Sequence, residues 1–179
     1  LSPTFESTVP GIYVIGALAG YPLIKHCINQ GYDVVEYIGG SVDLKPADEP
    51  ILEARLKGLP GNRSVAEWLE FLRQEVEILR GLSPLQMREF LLDSDVRAYQ
   101  SGDIIFKRNS IGSSLFGIAS GSVVVEVGSA RKRLTVPIPK GSIVGEVGLI
   151  SGRPRGATVR AAEPSILIEI SRIAALRLM

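Results

Sequence analysis

A mainly β fold with flanking helices is what this sequence predicts, and three observations carry the prediction. From about Tyr99 onward, short apolar runs recur at roughly regular spacing. Glycine-marked turn residues stand between them. Ahead of them lie two helix starts, each opened by a capping serine. Short antiparallel strands joined by tight turns close as a sandwich or a roll.

Taken in order, residues 1 to about 40 are too short for a core of their own. Pro10-Gly11-Ile12-Tyr13-Val14-Ile15-Gly16 reads as a turn, a buried strand and a glycine, and Pro22 to Ile38 as a helix interrupted at Gly31. Asp48 to Asn62 is polar and marked by proline and glycine, which predicts a connector. The expected division is therefore 1–47 as an incomplete strand-plus-helix tail, 48–63 as connector and 64–179 as a domain. Ser64-Val65-Ala66-Glu67 opens a helix that carries Val65, Trp68, Leu69, Leu72, Val76 and Leu79 at three- and four-residue spacing and ends at Gly81. Trp68 is expected to pack that helix onto a neighbour. Ser83-Pro84-Leu85-Gln86 opens a second helix, with proline in its first turn and Leu85, Met87, Phe90, Leu91 and Leu92 on its apolar side. Strands follow at Asp103–Phe106, Ser114–Ile118, Ser122–Val127, Arg133–Ile138, Ser142–Val144, Ala157–Arg160 and Ser165–Ile170. Asn109, in the turn before the second of these, suits a left-handed backbone.

Composition narrows the function classes. With 20 basic and 19 acidic residues the net charge is +1, too small a field to recruit nucleic acid or acidic lipid. Cys27 is the only cysteine, so the chain holds no internal disulfide or thiolate cluster, and a cytoplasmic setting is expected. A single histidine beside it makes no metal site, and adjacent His26 and Cys27 on a helix would not face each other as base and nucleophile. No apolar run reaches the length of a membrane span, and Leu1-Ser2-Pro3-Thr4 does not open a signal peptide. The missing initiator methionine suggests a fragment of something longer. Arg131-Lys132-Arg133 is read as a solvated hairpin end that discourages edge pairing, and Asp93 and Asp95 as capping residues at a helix end. No catalytic constellation results.

The stretch Gly145 to Thr158 is the most informative. It places a carboxylate, Glu146, an arginine, Arg155, and closely spaced small residues in one loop. Gly145, Gly148, Gly156 and Ala157 let backbone N–H groups approach an anion, and the short apolar turn from Val147 to Ile150 would aim a helix N-terminus at it. Arg155 offers a fixed fork of donors to phosphate oxygens, and Glu146 can accept from a sugar hydroxyl. A glycine-rich turn with solvated charges is the plainer alternative.

In its spacing the stretch resembles the phosphate-binding cassette of the cyclic-nucleotide-binding domain family: Gly-Glu, a short apolar turn, a spacer, then Pro-Arg-x-Ala-Thr. The resemblance covers residues from about 82 to 179 and takes in Gly102-Asp103, Gly112-Ser113-Ser114-Leu115-Phe116 and Ser120-Gly121-Ser122-Val123. It implies a double-stranded β-helix, the jelly-roll β-roll of that family. It also implies a non-enzymatic regulatory module with ligand contacts from Gly145, Glu146, Val147, Gly148, Arg155, Gly156, Ala157 and Thr158. Gly148 stands where alanine is usual. Gly156 carries no hydroxyl where the family uses threonine to favour cyclic GMP, so the resemblance points to cyclic AMP. The family's hinge helix would begin near Ser171-Arg172-Ile173.

Residues 1 to about 40 resemble the C-terminal end of thioredoxin-reductase-like flavoproteins at Pro10-Gly11-Ile12-Tyr13-Val14-Ile15-Gly16. Ala17 stands where those proteins carry the flavin-binding aspartate, and the Gly-x-Gly-x-x-Gly turn is missing, so no cofactor is expected in this chain and FAD only in a longer protein. The implied partners are a cyclic nucleotide and a reductase module in the same longer chain, and an exposed apolar strand in residues 1 to 40 would favour a second copy in a homodimer.

Overall fold

Ser64 and Ser83 open helices in the way their neighbours require. In α3 (Val65–Glu75) the Glu67 N–H donates to Ser64 Oγ and Glu67 Oε2 accepts from the Ser64 N–H at 2.7 Å. In α4 (Pro84–Leu92) Gln86 and Ser83 make the same reciprocal pair, and Pro84 sits where a missing N–H costs nothing. The computed structural model describes residues 1–2, 4–20, 24–41, 46, 48–129 and 132–176. The chain divides into two units, Leu1–Pro50 and Ile51–Met179.

Among its described residues the second unit carries eight antiparallel strands in two sheets. Strands β1 (Ser94–Tyr99), β8 (Ser165–Ile170), β3 (Leu115–Ser120) and β6 (Ile143–Val144) lie side by side in that order in one sheet. β2 (Ile104–Phe106), β7 (Thr158–Ala161), β4 (Ser122–Ser129) and β5 (Lys132–Pro139) form the other. The β4–β5 hairpin is in register from Ser122↔Pro139 to Ser129↔Lys132. The short helices α2 (Glu49–Leu56), α5 (Glu146–Ser151) and α6 (Arg172–Leu176) complete the set.

Alternation along β8 separates two cores. Ile166, Ile168 and Ile170 join Leu72, Val76, Leu79, Met87 and Leu91 beneath the helices, whereas Leu167 joins Phe116, Ile118, Val123 and Val159 between the sheets. Glu169 follows the parity of Leu167 and faces the interior of the roll. Trp68, only 3% exposed, belongs to the core beneath the helices and meets Phe71 of its own helix edge-on.

Three expectations for this unit are corrected. The strand β1 was not anticipated: Asp93 does end α4, but Ser94 and Asp95 already pair with Ile170 and Glu169. The helix expected to run to Leu79 stops at Glu75, because Val76 turns extended (φ −95°, ψ 113°) to pack on the sheet and the Glu77 N–H leaves for Gly141 O, with a short 3-10 turn after it. Residues 49–56, within the expected connector, form α2, whose Leu52 and Leu56 are buried. Arg131 lies outside the described residues, as do the side chains of Lys132 and Arg133.

The first unit is small. In place of the strand expected from Pro10 to Gly16, the described residues show an isolated bridge, Glu6↔Tyr13, since no neighbouring strand is there to extend it. A 3-10 turn, Gly16–Ala19, follows, with Ala17 inside it. Helix α1 (Ile24–Ile38) continues unbroken through Gly31, held by Gln30, whose buried Oε1 accepts from the Gly16 N–H at 2.7 Å. Pro22 and the His26 side chain lie outside the described residues, and Cys27 is half-buried against Gly16.

Candidate anion site

β6 delivers the chain to Gly145, whose left-handed backbone (φ 92°) reverses it into α5. That helix lasts six residues and ends at Gly152, also left-handed (φ 66°). Leu149 on its inner side joins the helical core, while Val147 and Ile150 point outward. The chain then runs without regular structure to Thr158, where β7 begins, one residue later than expected.

The turn at Asn109 and Ser110 clamps this return segment. The Asn109 N–H donates to Arg155 O at 2.8 Å and the Arg155 N–H to Ser110 O at 2.9 Å. Asn109 adopts φ 64°, the left-handed conformation that asparagine tolerates. Thr158 Oγ1 accepts from the Arg108 N–H at 3.0 Å.

With its backbone fixed, Arg155 turns inward and is only 4% exposed. Nη1 donates to Gly145 O at 2.7 Å, and Nη2 donates to Ser114 O and, at 3.4 Å, to Ser114 Oγ. The guanidinium lies 4.4 Å from the ring centre of Phe106 and 5.9 Å from that of Phe116, a cation over aromatic faces. A Cβ added at Gly145 would collide with Nη1, one at Gly112 would stand 3.1 Å from Nη2, and one at Gly148 3.3 Å from Nη1. These three positions are thus small because the guanidinium lies against them. Burial lowers the pKa of Arg155, and the charges of Glu169 and Glu146 push it back up.

Of the residues singled out in the sequence, the structure brings together Gly145, Glu146, Gly148 and Arg155. Val147 is 66% exposed, Gly156 is exposed, and Ala157 and Thr158 are half-buried beside the strand start. Sequence reasoning missed Gly112, Ser114, Phe106 and Glu169. The last left a signal: a lone carboxylate in the otherwise apolar strand Ser165-Ile166-Leu167-Ile168-Glu169-Ile170. An open groove of about 330 Å³ is lined by Asp93, Asp95, Gly112, Ser113, Ser114, Glu169 and Ser171, three of them carboxylates, and does not include Arg155. Among the described residues no group of three His, Cys, Asp or Glu is placed to hold a metal ion, and no helix is long and apolar enough to cross a membrane.

This roll and loop have counterparts. The cAMP-dependent protein kinase regulatory subunit of Blastocladiella emersonii is 29% identical over 94 residues, 51% of this chain and 23% of that protein. The cGMP-dependent 3′,5′-cGMP phosphodiesterase A of Dictyostelium discoideum is 33% identical over 90 residues, 50% of this chain and 10% of that protein. The chain therefore spans less than a quarter of either relative's length. The regulatory domain of Toxoplasma gondii PKA with cAMP superposes with a TM-score of 0.54 at 24% identity, covering 63% of this chain and 44% of that one, which shows the shared jelly-roll fold. The family model for the cyclic nucleotide-binding domain matches residues 96–179, and this segment belongs to that family.

Proposed function

We propose that residues 96–179 bind a cyclic nucleotide, cyclic AMP in preference to cyclic GMP, at the loop from Gly145 to Thr158, as a regulatory module without catalysis of its own. The observation that carries this reading is the buried Arg155 guanidinium set among Gly112, Gly145 and Gly148 with Glu146 close by. A guanidinium has five N–H donors. Three are engaged by Gly145 O, Ser114 O and Ser114 Oγ, which leaves two for the oxygens of a cyclic phosphate. Backbone N–H groups at Gly156 and Ala157 add donors, and Val147 and Gly148 shape the turn against the ligand. Glu146, at the first position of α5, accepts from the ribose 2′-hydroxyl. Thr158, bonded to Arg108, fixes where the loop rejoins the sheet. Gly156 supplies no hydroxyl to a guanine, which favours adenine.

The test is calorimetric titration of the chain with cyclic AMP and cyclic GMP, beside an Arg155→Lys variant that keeps the charge and loses the planar fork. Saturable cyclic AMP binding, weakened about tenfold to a hundredfold in the variant, is expected from the loss of a charged bidentate contact of roughly 1.5–3 kcal/mol. Absence of binding at millimolar nucleotide overturns the reading. It would favour the second one, a β-roll that docks another chain through Val147 and Ile150 of α5 and Ile173 and Leu176 of α6, all more than half exposed.

The same proposal has the module act in the cytoplasm on a flavin-dependent oxidoreductase in a longer chain, with FAD held by that part, and as a homodimer. Its support is the sequence resemblance at Pro10 to Gly16, the single cysteine and the apolar residues exposed on α1.

A further inference from the structure

The guanidinium of Arg155 already has a negative neighbour inside the protein. Glu169 faces the interior of the roll from β8, and its Oε1 accepts from Ser114 Oγ–H at 2.8 Å. The same hydroxyl oxygen lies 3.4 Å from Arg155 Nη2, so Ser114 bridges carboxylate and guanidinium. On its far side Glu169 meets Arg97 Nη2 at 3.5 Å, across the β1–β8 pair. Arg97 is itself shared with Asp95, at 3.9 Å, and its side chain is 58% exposed. The solvated Arg97 therefore offsets only part of the Glu169 charge, and the remainder faces Arg155.

We propose that Glu169, acting through Ser114, is an internal counter-ion to Arg155 that an incoming anion must displace electrostatically, so that Glu169 sets the affinity of the site. The inference rests on the anion-binding reading above. Its direction follows from what orients the arginine. Gly145 O and Ser114 O fix the guanidinium plane and Phe106 supports its face, all without the carboxylate. Removing the charge of Glu169 leaves those contacts in place and takes away a repulsion toward the phosphate. Glu169 is thus a positioning residue for charge balance, distinct from Glu146, which sits on the loop itself.

The experiment is titration of the chain with cyclic AMP in parallel with Glu169→Gln and Glu169→Asp. Gln preserves shape and the acceptor for Ser114 while removing the charge; Asp preserves charge and shortens the reach. Gln is expected to tighten binding about tenfold, the effect of one charge on the order of 10 Å away near a protein surface with the guanidinium between it and the phosphate, with Asp close to the parent chain. A structural role predicts instead that Gln binds like the parent chain while Asp, with its shorter reach, binds more weakly than the parent. Equal or weaker binding by the Gln variant, when the parent chain binds, overturns the counter-ion alone. Binding by neither at millimolar nucleotide overturns the functional reading and the counter-ion with it. Binding by the Gln variant alone upholds both. In a Ser114→Ala background, where the bridging hydroxyl is gone, the gain from Glu169→Gln should be smaller than in the parent chain; an undiminished gain would show that the carboxylate does not act through Ser114.

Discussion

Arg155→Ala should destabilise the protein even with no nucleotide present. The side chain is 4% exposed and donates to Gly145 O and Ser114 O, so truncation leaves two carbonyls without these donors. Both are part-buried, so each costs toward the low end of the about 1–3 kcal/mol of a fully buried unsatisfied acceptor. Loss of the stacking on Phe106 adds about 1 kcal/mol, and the side chain leaves a void between Gly112, Gly145 and Gly148. Against this, the variant no longer buries a cation, whose desolvation is the largest influence on the pKa of Arg155. The balance is a loss of about 2–4 kcal/mol, which for a unit of this size lowers Tm by roughly 6–15 °C. Thermal unfolding followed by circular dichroism at neutral pH, without ligand, measures it. A change below about 2 °C would refute the reasoning, since it would mean that the guanidinium is not held as described. Arg155→Lys is therefore the better variant for binding studies, because in Arg155→Ala loss of fold and loss of ligand contacts are mixed.

Two further outcomes follow from the packing and the caps. Gly117→Ala places a Cβ 2.7 Å from Val76 Cγ1 and 3.1 Å from Ile168 Cγ2, which should cost about 1–3 kcal/mol by denaturant titration; adding Val76→Ala should be less than additive, and strict additivity would show that the two do not touch. The pKa of Glu67 lies below the ordinary carboxylate value, first because the Ser64 N–H bonds it. A depressed folded-state pKa contributes stability that is present above the ordinary value of 4.5 and is lost as pH falls through the folded one. Tm of the parent chain should thus fall more steeply than that of Glu67→Gln as pH drops through and below that value, and parallel curves would contradict the capping box as the cause.

Much of the roll was legible because its cues are local. Gly-marked turns, apolar alternation and capping serines each act within a few residues, and the strands from β2 to β8 fall close to where those cues put them. β1 was missed because Asp93-Ser94-Asp95 also reads as a helix end, and what makes Ser94 and Asp95 a strand is the partner β8, about 75 residues later. Val76 shows the same limit: its spacing suits a helix, but the face of β3 at Gly117 decides its backbone. In the site, the loop bearing Glu146 and Arg155 was readable as a spaced motif, whereas Ser114 and Glu169 were not, being 41 residues before Arg155 and 55 residues beyond Ser114 respectively.

Which residues can meet an anion is set locally, because donor geometry and backbone clearance are properties of arginine and glycine wherever they stand. That Arg155 turns inward onto Phe106, donates to Gly145 and Ser114, and faces Glu169 depends on long-range packing. The physical reason is that a buried cation takes its energy from whatever polar groups the folded chain brings within a few ångströms, and their identity depends on how two sheets close on each other.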